Sequence, residues 1–159
     1  MDTSISLPKT VYAIQHLAFE DLGSLEDIFY QLGFRVRYFE AGVDDLSPAL
    51  NYDGLTIILG GPIGVYEEAD FPFIRDELNI LKKRIDLGLP ILGICLGSQM
   101  LATALGAKVK MNSQLELGWS ELNLLKDENH EYFKHLKNVP VLHWHQDTFD
   151  LPDNATLLA

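Results

Sequence analysis

The sequence predicts an α/β domain with an open, mostly parallel sheet and helices on both faces. Apolar runs of strand length alternate with amphipathic segments of helical period through most of the chain. Residues 55–59 (LTIIL) lack polar alternation, as expected for a central parallel strand that is buried on both faces. This order of strand, helix and strand favours parallel pairing through crossover helices.

Each predicted strand is a short run rich in apolar, β-branched or aromatic residues; these runs span 10–17, 34–39, 55–59 and 90–95. Each predicted helix is a segment with apolar residues at helical spacing; the helices span 25–32, 73–87 and 99–105. Ser24 is predicted to cap the first helix, which Gly33 ends. Beyond Gly106 the pattern predicts short strands and one short helix; the strands span 108–111, 118–125, 139–144 and 155–159, and the helix spans 127–136.

The length of 159 residues fits one domain, residues 1–159. With 12 Lys and Arg against 23 Asp and Glu, the formal net charge is −11, which makes nucleic acid an improbable partner. A single cysteine suits a reducing, cytoplasmic compartment. Residues 1–9 lack the apolar core of a signal peptide, and we expect no membrane partner. No phosphate-binding loop of the Walker type is present, and no cofactor is expected.

Cys95 lies where the apolar run 90–95 gives way to a helical segment, with Gly93 and Gly97 two residues away on either side. A strand, a sharp turn and a helix in this order place the turn residue at the end of the sheet, within reach of a substrate. The positive end of the helix stabilises a thiolate, which is the nucleophilic form of cysteine. Cys95 is therefore the predicted nucleophile, although a lone cysteine in other settings is usually a small buried apolar residue.

A nucleophile of this kind needs donors for the oxyanion that forms during attack. The amide of Leu96, directly after Cys95, is one candidate. The turn Gly60-Gly61-Pro62 ends the predicted strand 55–59 and is a candidate for the second. Because the carboxyl ends of parallel strands share one crevice, we expect this turn to lie beside Cys95.

Other polar residues leave alternatives open. His143 and His145 are two residues apart, so in a strand they share a face; either is a candidate base for Cys95, and solvated or core-lining histidines are the simpler interpretation. Glu116 is a candidate acid, with a structural or substrate-edge role as the simpler interpretation. A metal site with His130 or His135 fits no strong zinc spacing, so no metal ligands are predicted.

Four segments resemble the class I (triad-type) glutamine amidotransferases, in the branch similar to the amidotransferase domain of GMP synthase. Residues 93–99 (GICLGSQ) closely resemble the nucleophile motif, and residues 59–62 (LGGP) resemble the oxyanion turn. Residues 116–119 (ELGW) resemble the segment that follows, and residues 143–147 (HWHQD) with 151–152 (LP) resemble the later His-x-Asp segment.

This resemblance implies a flavodoxin-like sheet and hydrolysis of the glutamine side-chain amide, with ammonia passed to an acceptor. Cys95 would be the catalytic nucleophile, and the backbone N–H groups of Gly61 and Leu96 would hold the oxyanion. The remaining implied residues would surround the bound glutamine; they are Gly60, Pro62, Gln99, Gln146 and Asp147. The implied partners are glutamine and a synthetase or other acceptor enzyme.

The family's triad also needs a His and a Glu after the His-x-Asp segment, and no His follows His145. The domain is therefore expected to be incomplete at its C-terminus, with an uncovered sheet edge. Two alternatives remain open: a non-catalytic amidotransferase-like module that binds or regulates a partner, and a related cysteine hydrolase that acts on γ-glutamyl bonds.

Overall fold

The structure is a computed structural model and describes residues 9–125 and 133–159. Strands and helices alternate through its larger part: β1 (Lys9–Gln15), α1 (Ser24–Gln31), β2 (Phe34–Glu40), α2 (Ser47–Leu50), β3 (Thr56–Ile58), α3 (Phe73–Asp86), β4 (Ile91–Gly93) and α4 (Leu96–Ala104). Two longer strands follow, β5 (Val109–Glu121) and β6 (Pro140–Phe149), with a short 3-10 helix (Lys134–Leu136) between them.

The first four strands form one parallel sheet in the order β2-β1-β3-β4. β1 pairs with β2 along its whole length and with β3 over three residues. All residues of β3 are buried, which agrees with its uninterrupted apolar sequence. The predicted mostly parallel sheet with a buried internal strand is confirmed, and the carboxyl ends of its strands lie at one edge.

Helices cover both faces of this sheet, as predicted. One face packs against α1 and the segment before it; its buried residues are Val11, Ala13, Leu22, Ile57 and Leu59. The other face packs against α2, α3 and α4; its fully buried aliphatic residues are Ile14, Ala49, Ile58, Ile74, Leu81 and Met100. Because successive strand residues point to opposite faces of the sheet, Ile57 packs in the first of these cores and Ile58 in the second. Each large aliphatic side chain contributes about 1.5–3 kcal/mol through burial.

One arginine is buried in this core, near the end of α3. Arg84 is 1% exposed and donates hydrogen bonds to four backbone carbonyl groups. Its Nη1 lies 3.1 Å from the oxygen of Leu50 and 2.5 Å from that of Tyr52. Its Nη2 lies 2.7 Å from the oxygen of Pro90 and also donates to Gly54. The guanidinium thus ties α3 to the segments that lead into β3 and β4.

β5 and β6 form a separate antiparallel ribbon. Their pairing extends from Val109 opposite Phe149 to Glu121 opposite Pro140, with an irregularity between Met111 and Glu116. The ribbon contacts α4, so it lies beside the helix that follows Cys95. No helix in the described ranges has both the length and the apolar character needed to cross a bilayer.

Some predicted boundaries are wrong. Ser24 does not cap α1, because the helix begins at Ser24 and Gly23 occupies the capping position with φ 53° and no side-chain hydrogen bond. Asp21 instead accepts the Gly23 N–H at 2.8 Å. α4 begins at Leu96, three residues earlier than predicted, because the turn at Cys95 leads directly into the helix.

The C-terminal part also differs from the prediction. The predicted strands 108–111 and 118–125 belong largely to the single strand β5, since β6 is long enough to pair across the irregular segment. Residues 155–159 do not form a strand; a backbone hydrogen bond, from Leu125 N–H to the Leu158 oxygen at 3.2 Å, joins this segment to the residues that follow β5. Most of the predicted helix 127–136 lies outside the described residues, and its end forms the 3-10 turn.

Candidate active site

Cys95 occupies the turn between β4 and α4 with a strained backbone. Its φ of 53° and ψ of −113° lie in a region that residues with a Cβ atom rarely adopt. Such conformations persist where the surrounding structure imposes them, and they occur frequently at functional sites. The side chain is exposed to solvent. The sharp turn predicted at Cys95 is therefore present in the backbone geometry.

The two flanking glycines allow α4 to approach the sheet closely. A methyl group at Gly97 would lie 2.2 Å from the carbonyl oxygen of Ile58 in β3. A methyl group at Gly93 would lie 2.5 Å from the carbonyl oxygen of Gly97. Real Cβ atoms do not make contacts this short, so any side chain at either position would push α4 away from the sheet. The motif needs glycine at both positions for steric reasons.

The amide of Leu96 is the first helical N–H after the nucleophile. The amide of Gly97 is already used, since it donates to the carbonyl oxygens of Leu59 (3.2 Å) and Ile94 (3.0 Å). Within residues 9–125 and 133–159, no acceptor is recorded for the amide of Leu96. The first N–H groups of a helix have no intrahelical partner and can bind an anion. Leu96 therefore retains a donor beside Cys95.

The turn at Gly60 and Gly61 packs directly against Cys95, as predicted. A methyl group built on Gly60 would lie 3.4 Å from Cβ and 3.9 Å from Sγ of Cys95. The carbonyl oxygen of Gly60 lies 2.9 Å from Nδ1 of His16. In a trans peptide the C=O and the following N–H point in opposite directions. Because His16 binds the Gly60 carbonyl, the N–H of Gly61 in the same peptide points away from His16.

His16 belongs to a buried ion pair that supports this turn. It follows β1 directly, and its Nε2 lies 3.2 Å from Oε2 of Glu77 on α3. The two side chains are 1% and 0% exposed. Burial lowers the pKa of His16, but the hydrogen bond and the charge of Glu77 outweigh this effect and raise it above 6.5. The Gly60 carbonyl and the charge of Glu20 act in the same direction.

The pair makes a pH-dependent contribution to stability. Only the doubly protonated imidazole can donate to both Glu77 and Gly60. Because folding raises the pKa of His16, its contribution is complete below pH 6.5 and is lost as the pH rises through the folded-state pKa. We expect the unfolding free energy of the wild type to fall more steeply above pH 6.5 than that of His16→Gln. Urea denaturation at a series of pH values measures the difference, and parallel pH profiles would contradict it.

Two adjoining cavities open at Cys95. One, of about 280 Å³, is lined by the turn after β3, the turn at Cys95 and β6, including Gly61, Pro62, Leu96, Gln146 and Asp147. The other, of about 400 Å³, lies between α4 and β6 and includes Ser98, Trp144 and Phe149. Cys95, Gln99 and His145 line both. The structure thus brings the predicted site residues together around Cys95. Gly60 does not line either cavity but lies close to the Cys95 side chain.

His143 and His145 share one face of β6, as the sequence predicts for strand residues two apart. Both face Glu116 across the ribbon: Nε2 of His145 lies 3.2 Å and Nδ1 of His143 lies 3.8 Å from Glu116 Oε2. Nδ1 of His145 lies 3.2 Å from the carbonyl oxygen of Asp147. Both ring nitrogens of His145 therefore face acceptors within the ribbon, which disfavours His145 as the base for Cys95.

Several residues of the site were not predicted. His16 and Glu77 are 61 positions apart, and the only local signal is that His16 follows an apolar strand, as Cys95 does. Tyr66 was also missed; its hydroxyl lies 3.4 Å from Oδ1 of Asp147 and it lines the smaller cavity. Trp144 lines both cavities and was part of a resembling segment without a predicted role.

A family model described as glutamine amidotransferase class-I matches residues 22–159. The chain belongs to this family. Among solved structures, it is similar to a glutamine amidotransferase from Thermotoga maritima, with a TM-score of 0.84 and 38% identity over 95% of this chain and 66% of that one. The flavodoxin-like fold expected of an amidotransferase is thereby confirmed.

Curated relatives agree with this assignment. The chain is 30% identical over 158 residues to the glutamine amidotransferase-like protein YfeJ of Salmonella typhimurium, over 94% of this chain and 65% of that protein. It is 43% identical over 89 residues to the glutamine-hydrolysing GMP synthase of Streptococcus mutans, over 54% of this chain and 15% of that protein. The chain thus spans less than two thirds of the length of these relatives.

Proposed function

We propose that this chain forms the nucleophile-bearing part of an enzyme that hydrolyses the side-chain amide of glutamine and supplies ammonia to an acceptor. The observation that carries the proposal is the strained, exposed Cys95 beside a cavity lined by Gln99, Gln146 and Asp147. Membership of the class I glutamine amidotransferase family supports the same substrate.

In the proposed reaction, Sγ of Cys95 attacks the amide carbon of glutamine and forms a C–S bond. The N–H groups of Gly61 and Leu96 hold the oxyanion of the tetrahedral intermediate. The C–N bond then breaks, the nitrogen takes up a proton and ammonia leaves. Water attacks the thioester, which releases glutamate and restores the thiol.

We assign the substrate's amino-acid end to the side of the cavity formed by Gln146 and Asp147. These residues line the smaller cavity together with the oxyanion turn, so a glutamine held there extends its amide towards Cys95. Gln99 is 7% exposed and lines both cavities, where it can contact the substrate side chain.

Full turnover also requires a base. The His and Glu pair that the family resemblance implies does not occur after His145 in these 159 residues. We therefore propose that full turnover requires a polypeptide or complex that supplies this pair. The acceptor enzyme is proposed to be a synthetase, in keeping with the name of the GMP synthase relative.

Labelling of Cys95 by a glutamine-shaped electrophile tests the proposal. Since the chain has one cysteine, we expect a single adduct in intact-mass spectra. We expect L-glutamine to slow labelling, D-glutamine to leave it unchanged, and Cys95→Ala to abolish it. Iodoacetamide, which lacks the amino-acid part, is the matched reagent; its rate should not saturate with concentration, whereas L-glutamine bound against Cys95 should slow both reagents.

A labelling rate equal to that of a free cysteine peptide and unaffected by L-glutamine would contradict the proposal. In the polypeptide or complex that supplies the base, glutamate release from free glutamine identifies the amidotransferase. Turnover of γ-glutamyl peptides without turnover of glutamine would instead identify the related hydrolase.

A further inference from the structure

We propose that Glu116, His143 and His145 form a binding site for a divalent transition metal of the zinc class. The proposal goes beyond glutamine hydrolysis and does not depend on it. One carboxylate oxygen and one nitrogen from each imidazole all lie within 4.8 Å of one another. Two imidazoles and one carboxylate are a ligand set that zinc accepts.

The ribbon places the three side chains on one face. His143 and His145 are two residues apart on β6, and Glu116 lies directly opposite His145 on β5. Side chains at directly paired positions of an antiparallel ribbon point to the same side. Gly118 lies opposite His143 and has no side chain, so the Glu116 carboxylate is not blocked from reaching both imidazoles. The cluster is thus a product of strand register.

The hydrogen bonds of His145 expose a lone pair towards Glu116. The Asp147 carbonyl, 3.2 Å from Nδ1, can only accept, so Nδ1 carries a proton. In a neutral imidazole, Nε2 then presents its lone pair to Glu116 Oε2 at 3.2 Å. Two acceptors at this distance repel each other unless a proton or a cation lies between them. A ring nitrogen held by a backbone carbonyl is also the usual support of a metal-binding histidine.

The second imidazole has few competing partners. Nδ1 of His143 lies 3.8 Å from the same Oε2 atom of Glu116. Its Nε2 is buried without a hydrogen-bond partner in the described part of the chain. The His143 ring therefore forms no other hydrogen bond within the described part of the chain.

The spacing suits a tetrahedral ion. With metal–ligand bonds of about 2.0–2.2 Å, tetrahedral ligand atoms lie about 3.3 Å apart. The separations from Glu116 Oε2 are 3.2 and 3.8 Å and no pair of ligand atoms is more than 4.8 Å apart, so metal binding requires side-chain rotations that draw the two imidazoles together. Three protein ligands leave one position for water or another ligand. Glu116 is 46% exposed, which gives the ion a path from solvent.

The test is zinc binding to the purified chain, measured by calorimetry and by competition with a chromophoric chelator. We expect one ion per chain with a dissociation constant of about 1 µM or lower, and weaker binding at acidic pH because protons compete for the ligands. His145→Gln and Glu116→Gln should each weaken binding by about 100-fold or more, since even outer partners of a metal site contribute 10- to 100-fold.

His135→Gln is the matched control, because His135 is an exposed histidine outside the cluster. It should bind zinc like the wild type, and nuclear magnetic resonance should show zinc-dependent shifts for His143 and His145 only. Glu116→Gln is nearly isosteric and exposed, so its thermal midpoint without metal should match the wild type. The proposal fails if zinc binds only near millimolar concentration, or if all three variants bind it equally; a proton would then bridge His145 and Glu116.

Discussion

Arg84→Met is expected to destabilise the fold by about 3 kcal/mol, because each buried acceptor that loses its donor costs about 1–3 kcal/mol. The substitution preserves much of the side-chain volume but removes the Arg84 donor from four backbone carbonyl groups, of which that of Leu50 is buried and the other three are partly buried. For a chain of this size, the thermal midpoint should fall by about 10 °C. Differential scanning calorimetry and urea denaturation measure the effect.

Lys83→Met is the matched control. It removes the same charge from the adjacent position of α3, but Lys83 is exposed. A surface substitution of this kind changes stability by about 0.5 kcal/mol or less. Arg84→Lys should lie between the two, because an ammonium group cannot reach all four carbonyls. Equal midpoints for the variants at positions 83 and 84 would show that the guanidinium does not hold these segments.

Gly97→Ala is expected to disrupt both the fold and the nucleophile. The new methyl group would meet the Ile58 carbonyl oxygen at 2.2 Å and its carbonyl carbon at 2.8 Å. Because both atoms belong to the backbone of β3, the helix α4 must move. Overpacking of this kind costs about 1–3 kcal/mol or more. A displacement of about 1 Å at a reacting group lowers rates by about 100-fold, so labelling of Cys95 should slow to this extent.

Thr103→Ala serves as the control on the same helix. Thr103 bonds its hydroxyl to the Gln99 carbonyl at 2.9 Å, and alanine is the better helix former. Its midpoint and its labelling rate should stay close to those of the wild type. If Gly97→Ala labels at the wild-type rate, the close approach of α4 to β3 is not needed for the turn at Cys95.

The turn at Cys95 was predictable because its requirements are local. A positive φ at the turn and the close contact between Gly93 and Gly97 are met within five consecutive residues, and only the contact of Gly97 with Ile58 reaches another strand. The parallel sheet was predictable for a similar reason, since β3 shows its burial in its own composition. The proximity of the Gly60 turn to Cys95 followed from the rule that parallel strands share one edge.

Features that depend on long-range register were not predictable. The His16–Glu77 pair joins a strand end to a helix 61 positions away, and neither residue signals its partner. The cluster of Glu116 with two histidines depends on how β5 pairs with β6 across an irregular segment. The error at 155–159 has the same origin, because a short apolar run forms a strand only where another strand is available to pair with it.

The two buried charges of α3 lie at opposite ends of the sheet. Glu77 and Arg84 are seven residues apart, two helical turns and about 10 Å, on one face of the helix. Glu77 reaches the carboxyl ends of the strands through His16, whereas Arg84 holds the segments before β3 and β4. Arginine keeps its charge over the pH range in which His16 titrates. Mild alkali should therefore loosen the end of the sheet that carries Cys95 while Arg84 keeps the opposite end anchored, so that pH affects the two ends separately.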